Sequence, residues 1–160
     1  FCPAQDQKSR GKTFGQIHSE RDNYRKVGAS KGAELLLGLA VENALKGAVV
    51  FQDKPDTSKG SLNAKIFHKN AHDLLQVAEK LELILTDELK NLLNRLTLFV
   101  QWAGKYQAPL KEKDYQASHE NIRIICPADY ENSEKLILEL QKLAGFDETR
   151  GWPIRRYSAE

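Results

Sequence analysis

The chain has 160 residues, of which 41% are hydrophobic and 29% charged, a composition typical of one soluble globular domain. A domain of this length buries about 68–70% of the surface of its unfolded chain, so it needs neither a disulfide nor a metal ion to fold. The formal net charge of +2 is too small to indicate nucleic-acid binding by itself, and no long uncharged apolar stretch indicates a membrane span.

The sequence predicts a flexible N-terminal arm followed by a long central helix. The arm covers residues 1–22, which are polar. Apolar residues then cover most of the circumference of a helix over about Asn23–Phe51, so we expect it at the centre of a bundle. Glycines inside this helix cost about 0.8–1.0 kcal/mol each relative to Ala, and we expect close packing of a neighbouring helix to compensate. These glycines are Gly28, Gly32, Gly38 and Gly47.

Three shorter helices are predicted after a loop at residues 52–61. They cover about Ala71–Leu81, a segment from the N-cap Thr86 to Ala103, and Ser133–Ala144. Gly104 and Gly145 are expected to end the last two helices, and residues 110–128 are expected to form an extended connector. The predicted fold class is therefore all-α, an up-down bundle of four to five helices within residues 23–146, followed by a basic and aromatic tail at 147–160.

The stretch HKNAHDLL at residues 68–75 holds two histidines four apart, which is a metal-ligand spacing on a helix. Lys69 occupies the position of the glutamate in an HExxH zinc helix, so the general base of that motif is missing. Asn70 is a good N-cap, and Asp73 lies where a capping-box side chain returns a hydrogen bond. With Asn70 as the cap, His68 precedes the helix and the pair does not form, so we predict no metal site.

Glu42 and Lys46 share one face of the central helix inside an otherwise apolar run. A charged side chain in such surroundings must be paired or must keep access to water. Two interpretations follow. One is an i,i+4 ion pair at the rim of the bundle, and the other is a polar pocket in which His72 and Asp73 meet the Glu42 face. For His72 and Asp73, a purely structural polar network is the alternative to a ligand site.

The basic and aromatic tail suggests contacts with nucleic acid. Arg155, Arg156 and Trp152 are candidates, because arginine and aromatic side chains together can hold phosphates and stack on bases. The favoured alternative is a solvated face and a tail that docks on the bundle through Trp152.

The two cysteines, Cys2 and Cys126, belong to no Cys/His cluster and have no activating neighbour, so we expect reduced thiols in a cytoplasmic protein. No phosphate-binding or nucleophile motif occurs, and we predict no cofactor.

Three segments, in order and spacing, resemble proteins of the HEPN family. They are LLLGLAVENALKGAVV (35–50), HDLLQVAEK (72–80) and LTDELKNLLNRLTLFVQWAGKY (85–106), within a resemblance that covers about residues 24–110. HEPN proteins are small all-α domains, so the resemblance implies a helical bundle, often a homodimer, and a connection with nucleotides. It also implies that any functional site is formed by polar residues at positions that recur in that group. In this chain these residues are Glu42, Asn43, Lys46, His72 and Asp73.

Many HEPN members are RNA-cutting toxins or defence proteins, or partners of small nucleotidyltransferases. Their RNases use an Arg followed after four to six residues by a His, whereas Arg95 here is followed by LTLFVQW without a histidine. We therefore expect a binding or interaction module for a nucleotide, an RNA or a partner protein. The alternatives are a metal-independent RNase with His72 as general acid/base, and a purely structural dimerising subunit.

Overall fold

Four α-helices without a β-strand make up the described part of the chain, which confirms the predicted all-α bundle. The computed structural model describes residues 14–56, 58, 60–67, 69–105, 112 and 127–152. The helices are α1 (Phe14–Asp53), α2 (Leu74–Lys80), α3 (Asp87–Leu98) and α4 (Pro127–Leu143). A π-helical turn, Phe99–Ala103, continues α3, and a short 3₁₀ turn, Ala64–Ile66, lies in the loop between α1 and α2.

Helix α1 is the centre of the bundle, as predicted, because it packs against α2, α3, the π-helical turn and α4. Its 40 residues extend over about 60 Å at 1.5 Å per residue. It begins at Phe14, so residues 14–22 belong to the helix and not to the predicted arm, whereas residues 1–13 lie outside the described residues. The sequence did not predict this earlier start of α1 because residues 14–22 carry no apolar stripe. Among the described residues, no helix is both long and apolar enough to cross a membrane.

The predicted close helix packing occurs at one of the four α1 glycines. A Cβ atom at Gly38 would lie 2.7 Å from Cγ2 of Val100 on the π-helical turn and 3.3 Å from the backbone oxygen of Leu96. At Gly28, Gly32 and Gly47 no atom of the described residues lies within 4 Å of such a Cβ, so for them the prediction is wrong. Of these four glycines, Gly38 is therefore the one that the contact between α1 and the α3 path requires.

Helix α2 is shorter than predicted because its N-cap is Asp73 and not Asn70. The Asp73 side chain accepts a hydrogen bond from the Gln76 backbone N–H at 3.2 Å, which is the N-cap geometry. The Asn70 side chain instead accepts from the backbone N–H of His72 at 3.4 Å, within the turn that precedes the helix. Both residue types favour N-caps, so their spacing in the sequence did not distinguish them.

Helix α3 begins as predicted at the N-cap Thr86, whose hydroxyl accepts from the backbone N–H of Leu89 at 3.3 Å. The apolar stripe packs into the core, and the helical path ends at Gly104 as expected. A Cβ at Gly104 would lie 2.6 Å from Cβ of Leu35 on α1, so the end of this path also sits tightly against the central helix.

Helix α4 begins at Pro127, earlier than the predicted Ser133, and Gly145 ends it with a φ of +83°. Proline at a helix start is common because its missing N–H would have no partner within the helix. Pro127 and Ala128 are therefore helical and not part of the predicted connector, most of which lies outside the described residues. An ion pair between Arg95 and the buried Asp129 joins the first turn of α4 to α3.

Candidate functional site

The charged residues of α1 that the sequence singled out meet His72 at one point between α1 and the start of α2. Glu42 projects from α1 with a side chain only 6% exposed. Its Oε1 atom accepts a hydrogen bond from Lys46 Nζ and lies 2.8 Å from His72 Nδ1. We call these three residues the Glu42 cluster. A carboxylate this deeply buried requires such partners, since an unpaired buried charge is strongly destabilising.

Lys46 is held on two sides. Besides its ion pair with Glu42, its ammonium group lies 5.3 Å from the ring centroid of Phe67, within the range of a cation–π interaction. Phe67 is buried and belongs to the loop before α2, so Lys46 connects the central helix to that loop. No pattern in the sequence pointed to this ring, because its role depends on where the loop folds back.

His72 is the most exposed member of the Glu42 cluster, with a side chain 55% exposed. Because the Glu42 carboxylate can only accept, Nδ1 carries the proton of this contact in both the neutral and the protonated ring. Nε2 then accepts a hydrogen bond when the ring is neutral and donates one when it is protonated. No hydrogen bond to Nε2 is made within the described residues, so this atom can meet a ligand or exchange a proton.

The backbone next to His72 is fixed by α3. The Leu74 N–H, at the start of α2, donates to the hydroxyl of Thr97 at 3.0 Å, and Thr97 is buried. Asp73 is used as the N-cap of α2, so it supports the position of His72 and does not join the Glu42 cluster. We did not predict a role for Thr97 from the sequence. Its hydroxyl side chain lies inside the apolar stripe of α3, and that position could have indicated such a role.

The loop that leads to His72 is basic. Residues 54–72 contain four lysines and one acidic residue, and Lys54, Lys65 and Lys69 are exposed. Lys80 of α2 fixes the base of this loop, since its ammonium group contacts Asp53 at 2.5 Å and also the Ile66 carbonyl oxygen. His72 therefore lies at the end of an anchored, positively charged segment.

Asn43 is separated from the Glu42 cluster. One residue in a helix corresponds to about 100°, and Asn43 faces a groove of 680 Å³ between α1 and α4. Trp152 also lines this groove and packs on Phe146 with a centroid distance of 5.1 Å. Trp152 thus lies at the edge of this groove, whereas Arg155 and Arg156 lie outside the described residues, as does His68.

The turn that carries Trp152 is closed by Asp147. Asp147 and Gly151 exchange two backbone hydrogen bonds of 3.0 and 2.7 Å, and Gly151 has a φ of +73°. The Asp147 carboxylate accepts from the Thr149 hydroxyl, and also from the backbone N–H groups of Arg150 and Thr149. These hydrogen bonds lower the pKa of Asp147 below its ordinary value of 3.8.

Within the described residues, no three His, Cys, Asp or Glu side chains are grouped as ligands for a metal ion. Comparison of the chain with protein-family models, with curated proteins and with solved structures gave no match. The resemblance to HEPN proteins therefore rests on the residues quoted from the sequence alone.

Proposed function

We propose that this chain is an HEPN-like helical binding module that takes a phosphate-bearing ligand, a nucleotide or an RNA, at His72 and the basic loop 54–72. The observation that carries the proposal is the half-exposed imidazole of His72, held by a buried carboxylate at the end of a lysine-rich loop. The resemblance to HEPN proteins adds a homodimer and a nucleotidyltransferase-type partner to the proposal, and the two cysteines, which belong to no cluster, add a cytoplasmic location.

Phosphate fits the charges of this surface. Lys46 is occupied by Glu42 and by Phe67, so it supports the cluster and is not free to move onto a ligand. Lys65 and Lys69 are exposed and lie in the same loop as His72, where their ammonium groups can contact phosphate oxygens. A protonated His72 adds an Nε2–H donor directed away from Glu42. Such contacts release counterions, so binding must weaken as salt is raised.

Fluorescence anisotropy of a fluorescein-labelled single-stranded RNA tests this proposal. Charge reversal by Lys65→Glu or Lys69→Glu should weaken binding and reduce the slope of log K against log salt by about one for each phosphate that is no longer neutralised. Lys135→Glu makes the same charge change on the exposed surface of α4 and serves as the matched control. Failure of the wild-type protein to bind, or an equal loss of affinity in the Lys135→Glu variant, would contradict the proposed surface.

A second candidate function is a metal-independent RNase, and the contact between Glu42 and His72 favours it. A carboxylate that fixes Nδ1–H leaves Nε2 to take a proton from an attacking hydroxyl group, as in catalytic His–carboxylate pairs. A positioned general base contributes about 10²–10⁴-fold to the rate.

Cleavage of labelled RNA in the presence of EDTA separates the two candidates. If the chain is an RNase, cleavage persists in EDTA and falls by at least about 10²-fold in the His72→Ala variant. If the chain only binds, the wild-type protein shifts the RNA in a gel without cutting it. Cleavage that depends on a metal ion, or that survives in the His72→Ala variant, would refute the RNase.

A further inference from the structure

We propose a second binding site, in the groove between α1 and α4, for a flat heteroaromatic ring of the nucleobase type. The groove volume of 680 Å³ is within the range of about 300–1,000 Å³ that is usual for small-molecule sites. It opens on a different side of α1 from Glu42, and the proposal does not depend on the function proposed for His72.

The floor of the groove is smooth. Ala40, Ala44 and Gly47 follow one another at helical spacing along the α1 side of the groove, so a flat ring can lie directly against the helix. No atom of the described residues lies within 4 Å of a Cβ built on Gly47, which places open space above this position. Ile137 and Leu140 of α4 form an apolar wall opposite.

Trp152 supplies an aromatic surface at the groove. Its side chain is 53% exposed, although exposure of an indole to water is unfavourable. The ring is nevertheless held in place, because it packs on Phe146 at an interplanar angle of 59° and follows the hydrogen-bonded turn between Asp147 and Gly151. A second aromatic ring that stacks on Trp152 would remove the exposed surface from water.

Two amide side chains give the groove its polar character. Asn43 of α1 and Gln141 of α4 both line it, and neither side chain makes a hydrogen bond to another described residue. Each amide presents a donor and an acceptor side by side, which matches the paired donors and acceptors on the edge of a nucleobase. No charged side chain lines the groove within the described residues, which favours an uncharged ring over a phosphate group at this site.

Titration with the free nucleosides adenosine, guanosine, cytidine and uridine tests the proposal without any phosphate contribution. The measurement is the indole N–H signal of each tryptophan by NMR, assigned with the Trp152→Phe variant. The buried Trp102 serves as the internal reference. At least one nucleoside should shift the Trp152 signal in a saturable way and leave the Trp102 signal in place.

The Gly47→Leu variant fills the groove and should abolish this shift. The matched control is Gly28→Leu, which makes the same change at an exposed position of α1 that also has open space around it. Both variants replace a helical glycine by a better helix former, so neither is expected to unfold the protein. A nucleoside that still binds the Gly47→Leu variant would overturn the proposed location.

Calorimetry on further variants separates stacking from edge recognition. Trp152→Leu should weaken nucleoside binding by about 5- to 150-fold, the range expected for loss of one base–aromatic stack. Asn43→Leu and Gln141→Met keep approximately the length of each side chain and remove its amide, so they should weaken the binding of nucleosides but not of naphthalene. Naphthalene that binds the wild-type protein as tightly as the best nucleoside would refute edge recognition, and absence of all nucleoside binding would refute the site.

Discussion

Two glycine-to-alanine substitutions in the same helix should change stability in opposite directions. At Gly47 a methyl group enters open space, so Gly47→Ala gains the helix propensity of alanine, about 0.8–1.0 kcal/mol. At Gly38 the methyl group would approach Cγ2 of Val100 to 2.7 Å, closer than carbon atoms pack in proteins. Since valine has essentially one side-chain rotamer in a helix, it cannot easily turn away, and the helices must separate.

The expected sizes of the two effects follow from these contacts. Overpacking costs about 1–3 kcal/mol, and alanine returns nearly 1 kcal/mol of helix propensity, so Gly38→Ala should destabilise the protein by up to about 2 kcal/mol. The two variants should therefore differ by about 1–3 kcal/mol in the free energy of unfolding. For a chain of this length, each kcal/mol corresponds to a change of about 2–4 °C in Tm.

Urea denaturation followed by circular dichroism measures both variants on one scale. The midpoint should move to a higher urea concentration for Gly47→Ala and to a lower one for Gly38→Ala. The m-value should stay unchanged, because both variants expose the same amount of surface on unfolding as the wild type does. If Gly38→Ala raised the midpoint as much as Gly47→Ala does, the close contact between α1 and α3 would be refuted.

Three further predictions concern the supports of the two sites. Thr97→Val removes the acceptor of the buried Leu74 N–H, so it should lower the free energy of unfolding in urea by about 1–3 kcal/mol, whereas an unchanged midpoint would contradict this contact. Glu42→Gln removes the buried charge that pairs with Lys46 and contacts His72, so it should destabilise the protein by about 1–3 kcal/mol in thermal melts, and a variant as stable as the wild type would show that the pairing contributes nothing. The lowered pKa of Asp147 means that its turn is fully stabilised above the ordinary carboxyl value of 3.8 and loses this stabilisation as pH falls through the lowered value. The indole N–H signal of Trp152 should accordingly move only in that acid range, and Asp147→Ala should remove the transition.

The helices that bury an apolar stripe were predictable from the sequence. The spacing of leucines in α3 and the N-cap Thr86 identified that helix and its start, because burial and capping are both local in sequence. Residues 14–22 of α1 were missed because a polar helix carries no such stripe. The start of α2 was misplaced because Asn70 and Asp73 are both good caps, and the contact between the Leu74 N–H and Thr97 joins residues that are distant in sequence.

The candidate site was predictable only in part. The spacing of Glu42 and Lys46 indicates an ion pair directly, since residues four apart share a helix face. The contact with His72 was one of two open interpretations, and no rule of helix geometry leads to it. Phe67 was missed because its place beneath Lys46 depends on how the loop folds. Asn43 was grouped with Glu42, although a rotation of about 100° per residue already indicates that the two face different surfaces.

The neighbouring positions Glu42 and Asn43 have a consequence for how two ligands would share this molecule. The body of α1 lies between the two surfaces and is anchored on both sides, by packing against α4 on one side and against α2 and the π-helical turn on the other. A ligand at either surface changes the affinity of the other only if it shifts an equilibrium between two positions of this helix. Because α1 is packed on both sides, we expect the coupling free energy between the two proposed ligands to be small, so that each would bind with nearly the affinity that it has alone.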